Sequence, residues 1–330
     1  MSKSISIIIP TIRHEDAEPA VQALLHQIHS PEEVIVVEDG DRDEIVKVDE
    51  INKVKIIWAR VRRGGGANRA RNYGIKISKG SIIAFIDSDC LPPSDWTFRV
   101  IELINKGDID AVAGSVKGIN SYNFFARFQE NSLLRPVPRY KKEKVLVSDM
   151  GLTLVVTANF AVKRESITRA GFFDEKFYRY GSDDADLVQR LLRRGCKILC
   201  SPELIMYHEN RNSLLKLLIR YYEYGRGFPI FRARHGKAKF SLIVSLGAFA
   251  LGAAYATALT SLILGRVYDA MLALSSPLLF LCAFHLYWFI KKPKLERLLY
   301  PFVDLIIATS ALVGIIIGEL RERVNFLKSG

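Results

Sequence analysis

Two carboxylates one residue apart, Asp87 and Asp89, stand directly after an apolar run, Ser81-Ile82-Ile83-Ala84-Phe85-Ile86. The run is β-branched and aromatic and has the length of a strand buried on both sheet faces. In an open α/β sheet the ligand crevice lies beyond the carboxyl ends of the strands, which is where these two acids would stand. Hard oxygen ligands at that edge suit Mg²⁺ or Mn²⁺ shared with a substrate phosphate. An acidic turn closing a strand is the competing explanation, since Leu91, Pro92 and Pro93 follow closely. A second acidic group, Asp183, Asp184 and Asp186, follows Ser182 and opens a helical pattern reaching Leu191. Acids in a first turn complement the helix dipole, and Ser182 is a suitable N-cap. Three carboxylates in four positions exceed what capping needs, and their repulsion suits one of them to hold a proton.

Further chemistry-bearing residues are spread along the chain. Arg63-Gly64-Gly65-Gly66 leads into a helix expected over about Ala67 to Lys76, whose free amides suit a phosphate, with Arg69 or Arg71 adding charge. The glycine spacing is not that of a dinucleotide fingerprint. His208 leaves the last expected strand; on its own a lone histidine is more often structural than a metal ligand. Cys90, Cys196, Cys200 and Cys282 show no paired metal-ligand spacing, and Cys196 and Cys200, flanking an expected strand, read as buried thiols of a reducing compartment.

The elements that must hold these residues follow from periodicity. Strands are expected at Ser6 to Thr11, Glu33 to Glu38, Val54 to Trp58, Ala111 to Val116, Leu152 to Val156 and Lys197 to Cys200. Helical patterns fall at Asp16 to Ile28, Asp95 to Ile104 and Arg164 to Ala170. The alternation predicts an α/β domain with a doubly wound parallel sheet over residues 1–210. Between Asn120 and Met150 periodicity fades into a mixture of Phe and Arg or Lys, read as an acceptor-side loop, a membrane-facing one or a plain surface excursion.

Beyond residue 210 the composition changes. Residues 211–239 mix leucines and tyrosines with Arg and Lys, the make-up of an amphipathic helix at a membrane surface. Apolar segments follow at 240–264, 268–290 and 300–318, the first two of bilayer-crossing length and the third shorter and interrupted by Asp304. Basic residues before Phe240 and at Lys291-Lys292-Pro293-Lys294 place the catalytic part in the cytoplasm by the positive-inside rule. Arg321 and Arg323 fit poorly with an external C-terminus, so the third segment reads as spanning, re-entrant or interfacial. No signal peptide is expected, because Ser4 to Pro10 is a strand-like run. The net charge of +12 attracts phosphates of nucleotides or lipid headgroups; nucleic acid is not the expected partner, because no recognition module is present.

The order of motifs resembles the inverting nucleotide-sugar glycosyltransferases of family 2, with their GT-A fold, over roughly residues 4–225. The resemblance rests on Ile9-Pro10-Thr11, Val37-Glu38-Asp39-Gly40, Arg63-Gly64 through Arg71-Asn72-x-Gly74, Asp87-Ser88-Asp89, and Asp183-Asp184 before Leu187 and Arg190-Leu191. It implies a nucleoside-diphosphate sugar donor bound by Pro10, Thr11, Asp39, Arg71, Asp87 and Ser88. It implies Mn²⁺ or Mg²⁺ at Asp89 and Asp87, with His208 as an added ligand, and an acceptor side at Thr157-Ala158-Asn159. The family's Glu-Asp pair appears as Asp183-Asp184, which puts the catalytic base at Asp184 or, one residue back, at Asp183. In place of the Gln-x-x-Arg-Trp of processive synthases stands Arg220-Tyr221-Tyr222-Glu223-Tyr224, so one sugar per binding event is expected, delivered to a lipid-linked or surface glycan. The competing classes are a sugar-nucleotide-forming nucleotidyltransferase and a catalytically silent nucleotide-sugar-binding membrane scaffold.

Overall fold

The structure, a computed structural model, describes residues 4–40, 42–62, 65–177 and 181–329. The chain forms two compact units, Met1–Ile119 with Val137–Glu209, and Asn120–Pro136 with Asn210–Gly330.

The first unit is built on one sheet. Its strands are β1 (Ile5–Thr11), β2 (Glu33–Gly40), β3 (Glu44–Ile51), β4 (Val54–Arg62) and β5 (Ile82–Phe85). They continue as β6 (Cys90–Leu91), β7 (Ala111–Gly118), β8 (Lys144–Leu146), β9 (Phe160–Lys163) and β10 (Ile198–His208). The order is β3-β4-β2-β1-β5-β9-β7-β10-β6, with β8 on β10. Helices α1 (Glu18–Leu25), α2 (Gly66–Ile77) and α3 (Trp96–Ile104) flank it; α4 (Phe124–Asn131) belongs to the second unit; α5 (Arg164–Ala170) and α6 (Asp183–Arg193) complete the first. Every residue of β1 is buried, as expected for an apolar strand covered on both faces. On one side Ile7, Ile9, Val34 and Val36 pack with Leu24, Trp96 and Leu103; on the other Ile35, Val37 and Ile57 meet Ala70.

The sheet is mixed rather than wholly parallel. β4, β2, β1, β5, β7 and β10 run one way, while β3, β6, β8 and β9 are antiparallel to their neighbours. Segment 44–51 was not expected as a strand: it is an edge whose residues are mostly exposed, and its apolar residues are interspersed with charged ones rather than forming a buried run. Residues 152–156 are irregular instead of a strand, and the helix expected over Asp16 to Ile28 is a 3₁₀ turn followed by the shorter α1. Cys90, Cys196 and Cys200 are buried free thiols.

The second unit comprises α4, α7 (Leu214–His235), α8 (Lys239–Ile263), α9 (Val267–Lys291) and α10 (Tyr300–Ser329). Three helices are long and apolar enough to cross a membrane: α8, α9 and α10 over Tyr300–Val324. The third segment is thus longer than the apolar stretch 300–318. Asp304 within it is fully buried and satisfied: it accepts from Ser132 Oγ and from Leu133 N at 3.2 Å, and pairs with His285 at 2.6 Å. The ambiguous stretch after Asn120 owes its phenylalanines to this unit, since Phe128 packs among Leu217, Tyr221, Tyr300 and Ile307. Much of the apolar surface of α7 is likewise spent on protein: Leu217, Tyr221, Phe228 and Phe231 are buried, whereas Leu215 and Ile219 stay exposed.

Candidate active site

The parallel strands all end on one edge of the sheet, and that edge collects the expected residues. Thr11 ends β1, Asp39 lies near the end of β2, Asp87 follows β5 by two residues, and His208 ends β10. Because β9 runs antiparallel to β5 and β7, its beginning is at this same edge, which brings Thr157 there. Arg63 and Gly64 of the glycine-rich motif lie outside the described residues, as does Tyr180.

Arg71 ties the arrangement together. It projects from α2, which approaches β1 so closely at Gly74 that a Cβ there would stand 2.6 Å from Ile8 Cγ2. Its guanidinium donates to Asp87 Oδ1 at 3.1 Å, to Asp183 Oδ2 at 3.3 Å and to Asn68 Oδ1 at 3.1 Å. The Phe173 ring lies 5.4 Å away. Two acidic motifs nearly a hundred residues apart in sequence therefore share one cation. Burial works against the Arg71 charge, but Asp87, Asp184 and Asp183 together outweigh it and raise its pKa.

The three acids of α6 separate by partner. Asp183 is held by Arg71. Asp186 is wholly buried and accepts from Arg190 Nε at 2.8 Å. The other nitrogens of Arg190 donate to the carbonyls of Ala170 at 2.5 Å and Phe172 at 2.6 Å, bracing the turn that carries Phe173. Asp186 is thus structural. Asp184 instead accepts from Thr157 Oγ1 at 2.9 Å. Its carboxyl is pushed up to about 7, first by withdrawal from water and then by the charge of Asp183, with Arg71 and the Thr157 bond acting the other way. Ser182 occupies the N-cap position without capping: its φ is +72° and its side chain makes no bond to the helix amides. Phe172 also has positive φ, at +58°. Two non-glycine residues in left-handed conformation flank the approach to Asp183, and such strain persists only where surrounding contacts over-determine it.

Asp89 and His208 form a second pair. Antiparallel pairing of β6 with β10 sets Cys90 opposite His208, and the Asp89 carbonyl accepts from Glu209 N at 3.2 Å. His208 Nε2 then lies 3.4 Å from Asp89 Oδ2. Among the described residues no group of three His, Cys, Asp or Glu is gathered closely enough to hold a metal by itself. A carboxylate oxygen and an imidazole nitrogen are nonetheless a suitable protein share for Mg²⁺ or Mn²⁺, which usually take remaining ligands from phosphate and water.

Among the described residues two buried polar atoms near the strand ends have no hydrogen-bond partner, Asp39 Oδ1 on β2 and Arg71 Nε on α2. One is an acceptor and one a donor, both beside the strand ends, and such atoms are costly unless something satisfies them. Pro10 and Thr11 are buried at the end of β1, with Thr11 Oγ1 donating to Arg13 O at 2.6 Å. Ser88 lies between Asp87 and Asp89 and is partly exposed.

Asn159 requires a correction, because it does not face an acceptor. It is wholly buried; its Oδ1 accepts from Trp96 Nε1 at 2.9 Å and its Nδ2 donates to Ser115 O and Leu204 O, each at 3.0 Å. Gly114 leaves room for it, since a Cβ there would stand 2.1 Å from Nδ2. The Asn159→Ala change strips three buried groups of their partner. It is expected to destabilise by about 3 kcal/mol or more, with unchanged KM for donor and acceptor, measured by thermal unfolding in detergent beside kinetics. The residue of this segment that does reach the acids is Thr157. Its place within the Thr157-Ala158-Asn159 motif was the available signal; which of the three turned toward Asp184 depended on the 3₁₀ turn before β9.

The profile of Glycosyl transferase family 2 matches residues 6–171, half of the chain. The hyaluronan synthase of Pasteurella multocida is 27 % identical over 237 residues, covering 62 % of this chain and 24 % of that protein. The glycosyltransferase AglE of Haloferax volcanii is 25 % identical over 239 residues, covering 68 % of this chain and 72 % of its own. The first curated relatives are longer proteins, of which the matched region spans a quarter to a third. Among solved structures, the mannosyltransferase PcManGT of Pyrobaculum calidifontis, in complex with GDP-Man and Mn²⁺, superposes with a TM-score of 0.60 at 17 % identity, over 96 % of this chain and 88 % of that one. With a GT-A-type sheet, its acidic motifs at the carboxyl edge and this profile match, the chain belongs to glycosyltransferase family 2.

Proposed function

We propose that this transferase moves one sugar per binding event from a nucleoside-diphosphate donor to a hydroxyl of a lipid-linked or cell-surface glycan acceptor, with inversion. The observation that carries this reading is the placement of Asp184, a carboxyl held up to about 7, beside the Arg71 cation that joins Asp87 and Asp183. A base with a pKa near the working pH and a fixed positive charge are what attack by a weak alcohol on a phosphate-linked carbon requires.

In this reading Asp184, oriented by Thr157, accepts the proton of the acceptor hydroxyl. The hydroxyl oxygen bonds to the anomeric carbon from the face opposite the diphosphate, and the bond from that carbon to the diphosphate oxygen breaks. One displacement gives inversion. Arg71 and the amides at the start of α2 offset the charge left on the diphosphate. Asp39 Oδ1 accepts an N–H of the nucleotide base, with Pro10 and Thr11 lining the base, and Asp87 with Ser88 faces the ribose. Asp89 and His208, with Asp87 beside them, would hold Mn²⁺ or Mg²⁺, which supplies charge neutralisation at the diphosphate. The PcManGT complex, with its nucleotide sugar and Mn²⁺, supports this donor and metal class. The apolar helices attach the enzyme to the membrane as a multi-pass protein, and the basic residues flanking α8 and α9 favour a cytoplasmic catalytic unit.

A thermal-shift panel of nucleotide sugars with and without Mn²⁺ tests the reading. One donor is expected to stabilise the protein only with metal. His208→Ala should raise the Mn²⁺ concentration needed for that stabilisation about tenfold, an effect in the range that loss of a metal-site partner produces. Equal stabilisation with and without Mn²⁺ would remove the metal assignment.

A further inference from the structure

Two helices of the second unit, α7 and α10, run side by side in the same direction. Ser310 Oγ donates to Leu218 O at 2.7 Å, a Cβ on Gly314 would stand 2.2 Å from Tyr222 O, and one on Gly318 would stand 2.8 Å from Arg226 O. Arg232 pairs with Glu319 at 2.6 Å. Contact positions rise together along both chains, and the absent side chains of Gly314 and Gly318 let the backbones touch. Whatever direction α10 takes through or along a bilayer, α7 takes too.

That direction is fixed by where α7 begins and ends. Helices α8 and α9 form a hairpin through a turn at Leu264–Arg266, so the start of α8 and the end of α9 lie at one end of it. Near the beginning of α7, Leu217 and Tyr221 pack with Tyr300, whose ring is 5.7 Å from His285, six residues before the end of α9. Toward its end, the Phe231 ring is 5.5 Å from that of Phe240, at the start of α8. From Leu217 to Phe231 the helix advances about 21 Å, whereas His285 is only about 9 Å along the hairpin axis from its open end. A rod of that length with both ends near the open end, whose partner α10 also meets α8 where Thr309 Oγ1 lies 2.5 Å from Tyr255 Oη, crosses the hairpin axis obliquely rather than running along it.

The surfaces agree with this placement. The two helices have unlike surfaces. α10 exposes Phe302, Ile306, Val313, Ile316 and Leu320; the surface of α7 carries Lys216, Arg220, Glu223 and Arg234 beside Leu215 and Ile219, and Arg232 reaches Glu319 of α10. The most apolar stretches of α8 and α9 are only 6 % and 11 % buried, against 33 % for that of α10. An exposed apolar stripe on α10 beside a mixed, mainly basic surface on α7 suits the boundary between acyl chains and headgroups; the same charges at hydrocarbon depth are costly.

We propose that only α8 and α9 cross the membrane. The α7–α10 pair lies in the leaflet from which α8 enters, the apolar stripe of α10 on the acyl chains and the mainly basic surface of α7 on anionic headgroups. Arg321 and Arg323 then remain on the side where the membrane unit begins, in keeping with the positive-inside rule. The inference rests on membrane attachment alone and needs no sugar transfer.

Cysteine accessibility of the full chain in intact cells tests it, using a membrane-impermeant maleimide in a Cys282→Ala background. Tyr268→Cys, at the hairpin tip and 89 % exposed, is expected to label in intact cells. Arg323→Cys and Glu322→Cys are expected to label only after the membrane is opened, as is Lys237→Cys just before α8. Labelling of Arg323→Cys or Glu322→Cys in intact cells would show that α10 crosses and overturn the proposal. Failure of Tyr268→Cys to label there would overturn it as well, because the hairpin would not cross. Neither outcome depends on turnover, so the transferase reading is tested separately.

Discussion

Asp184→Asn is expected to lower kcat by about 10²–10⁴ while leaving donor binding nearly intact, read as an unchanged metal-dependent thermal shift. The amide keeps the shape and the contact with Thr157 but cannot take a proton. Retained turnover would move the base to Asp183 or elsewhere. In the parent enzyme the rate should rise with pH through an inflection at about 7, where the Asp184 carboxyl ionises, and this limb should vanish in the variant. The same group links pH to stability. The folded protein holds this proton up to about 7, whereas the unfolded chain releases it near the ordinary value of 3.8. Between those values the native state binds more protons than the unfolded one, so the Asp184 contribution to stability falls as pH rises through that window. Asn carries no such penalty. The variant should therefore melt at a higher temperature than the parent at pH 8 and at a similar one at pH 4, so the least active form is the more stable one at neutral and alkaline pH.

Arg71→Met has the opposite effect on stability. Removing the shared cation leaves Asp87, Asp183 and Asp184 facing one another beside a methionine. Loss of one partner from a buried ion pair costs about 3–5 kcal/mol, and the partial exposure of Asp87 favours the lower figure. Thermal unfolding in detergent measures it. Arg71 is also the largest influence holding the Asp184 carboxyl down, so any residual activity of the variant should have its acid limb displaced above about 7. Arg71→Lys keeps the charge without the fork that reaches Asp87, Asp183 and Asn68 together, and should recover stability in part. An unmoved limb in Arg71→Met would separate Asp184 from the rate-determining proton transfer.

Much of this arrangement was legible in the sequence because it depends on local pattern. An apolar run followed by acids marks the end of a buried strand, which located Asp87 and Asp89. The glycine-rich run leading into a helix marked Arg71 as a candidate cation, while its contact with Asn68 on the same helix face emerged only with the fold. What sequence could not separate was the acids of α6: only the fold shows that Asp186 goes to Arg190, Asp183 to Arg71 and Asp184 to Thr157. Asn159 misled because a motif carries no direction for its side chains. Strand β3 escaped because its β-branched residues Ile45, Val46, Val48 and Ile51 are broken up by Lys47, Asp49 and Glu50 and stay exposed at an edge, and a parallel sheet was expected because antiparallel β9 is only four residues long. The phenylalanines after Asn120 lacked meaning until their partners, roughly ninety to a hundred and eighty residues later, were in place.

That last connection bears on how the protein can be produced. A soluble catalytic fragment would ordinarily be obtained by stopping the gene after the final strand, at Glu209. Here such a cut would remove Leu217, Tyr221, Tyr300 and Ile307 from around Phe128, and the Arg211 carbonyl from Gln129, leaving α4 without the surfaces that make it fold. The fragment would display a sticky aromatic insert and precipitate, whatever the merits of its sheet. Replacing Asn120–Pro136 with a short polar linker, in addition to the truncation, is the engineering route that the chain's division into units recommends.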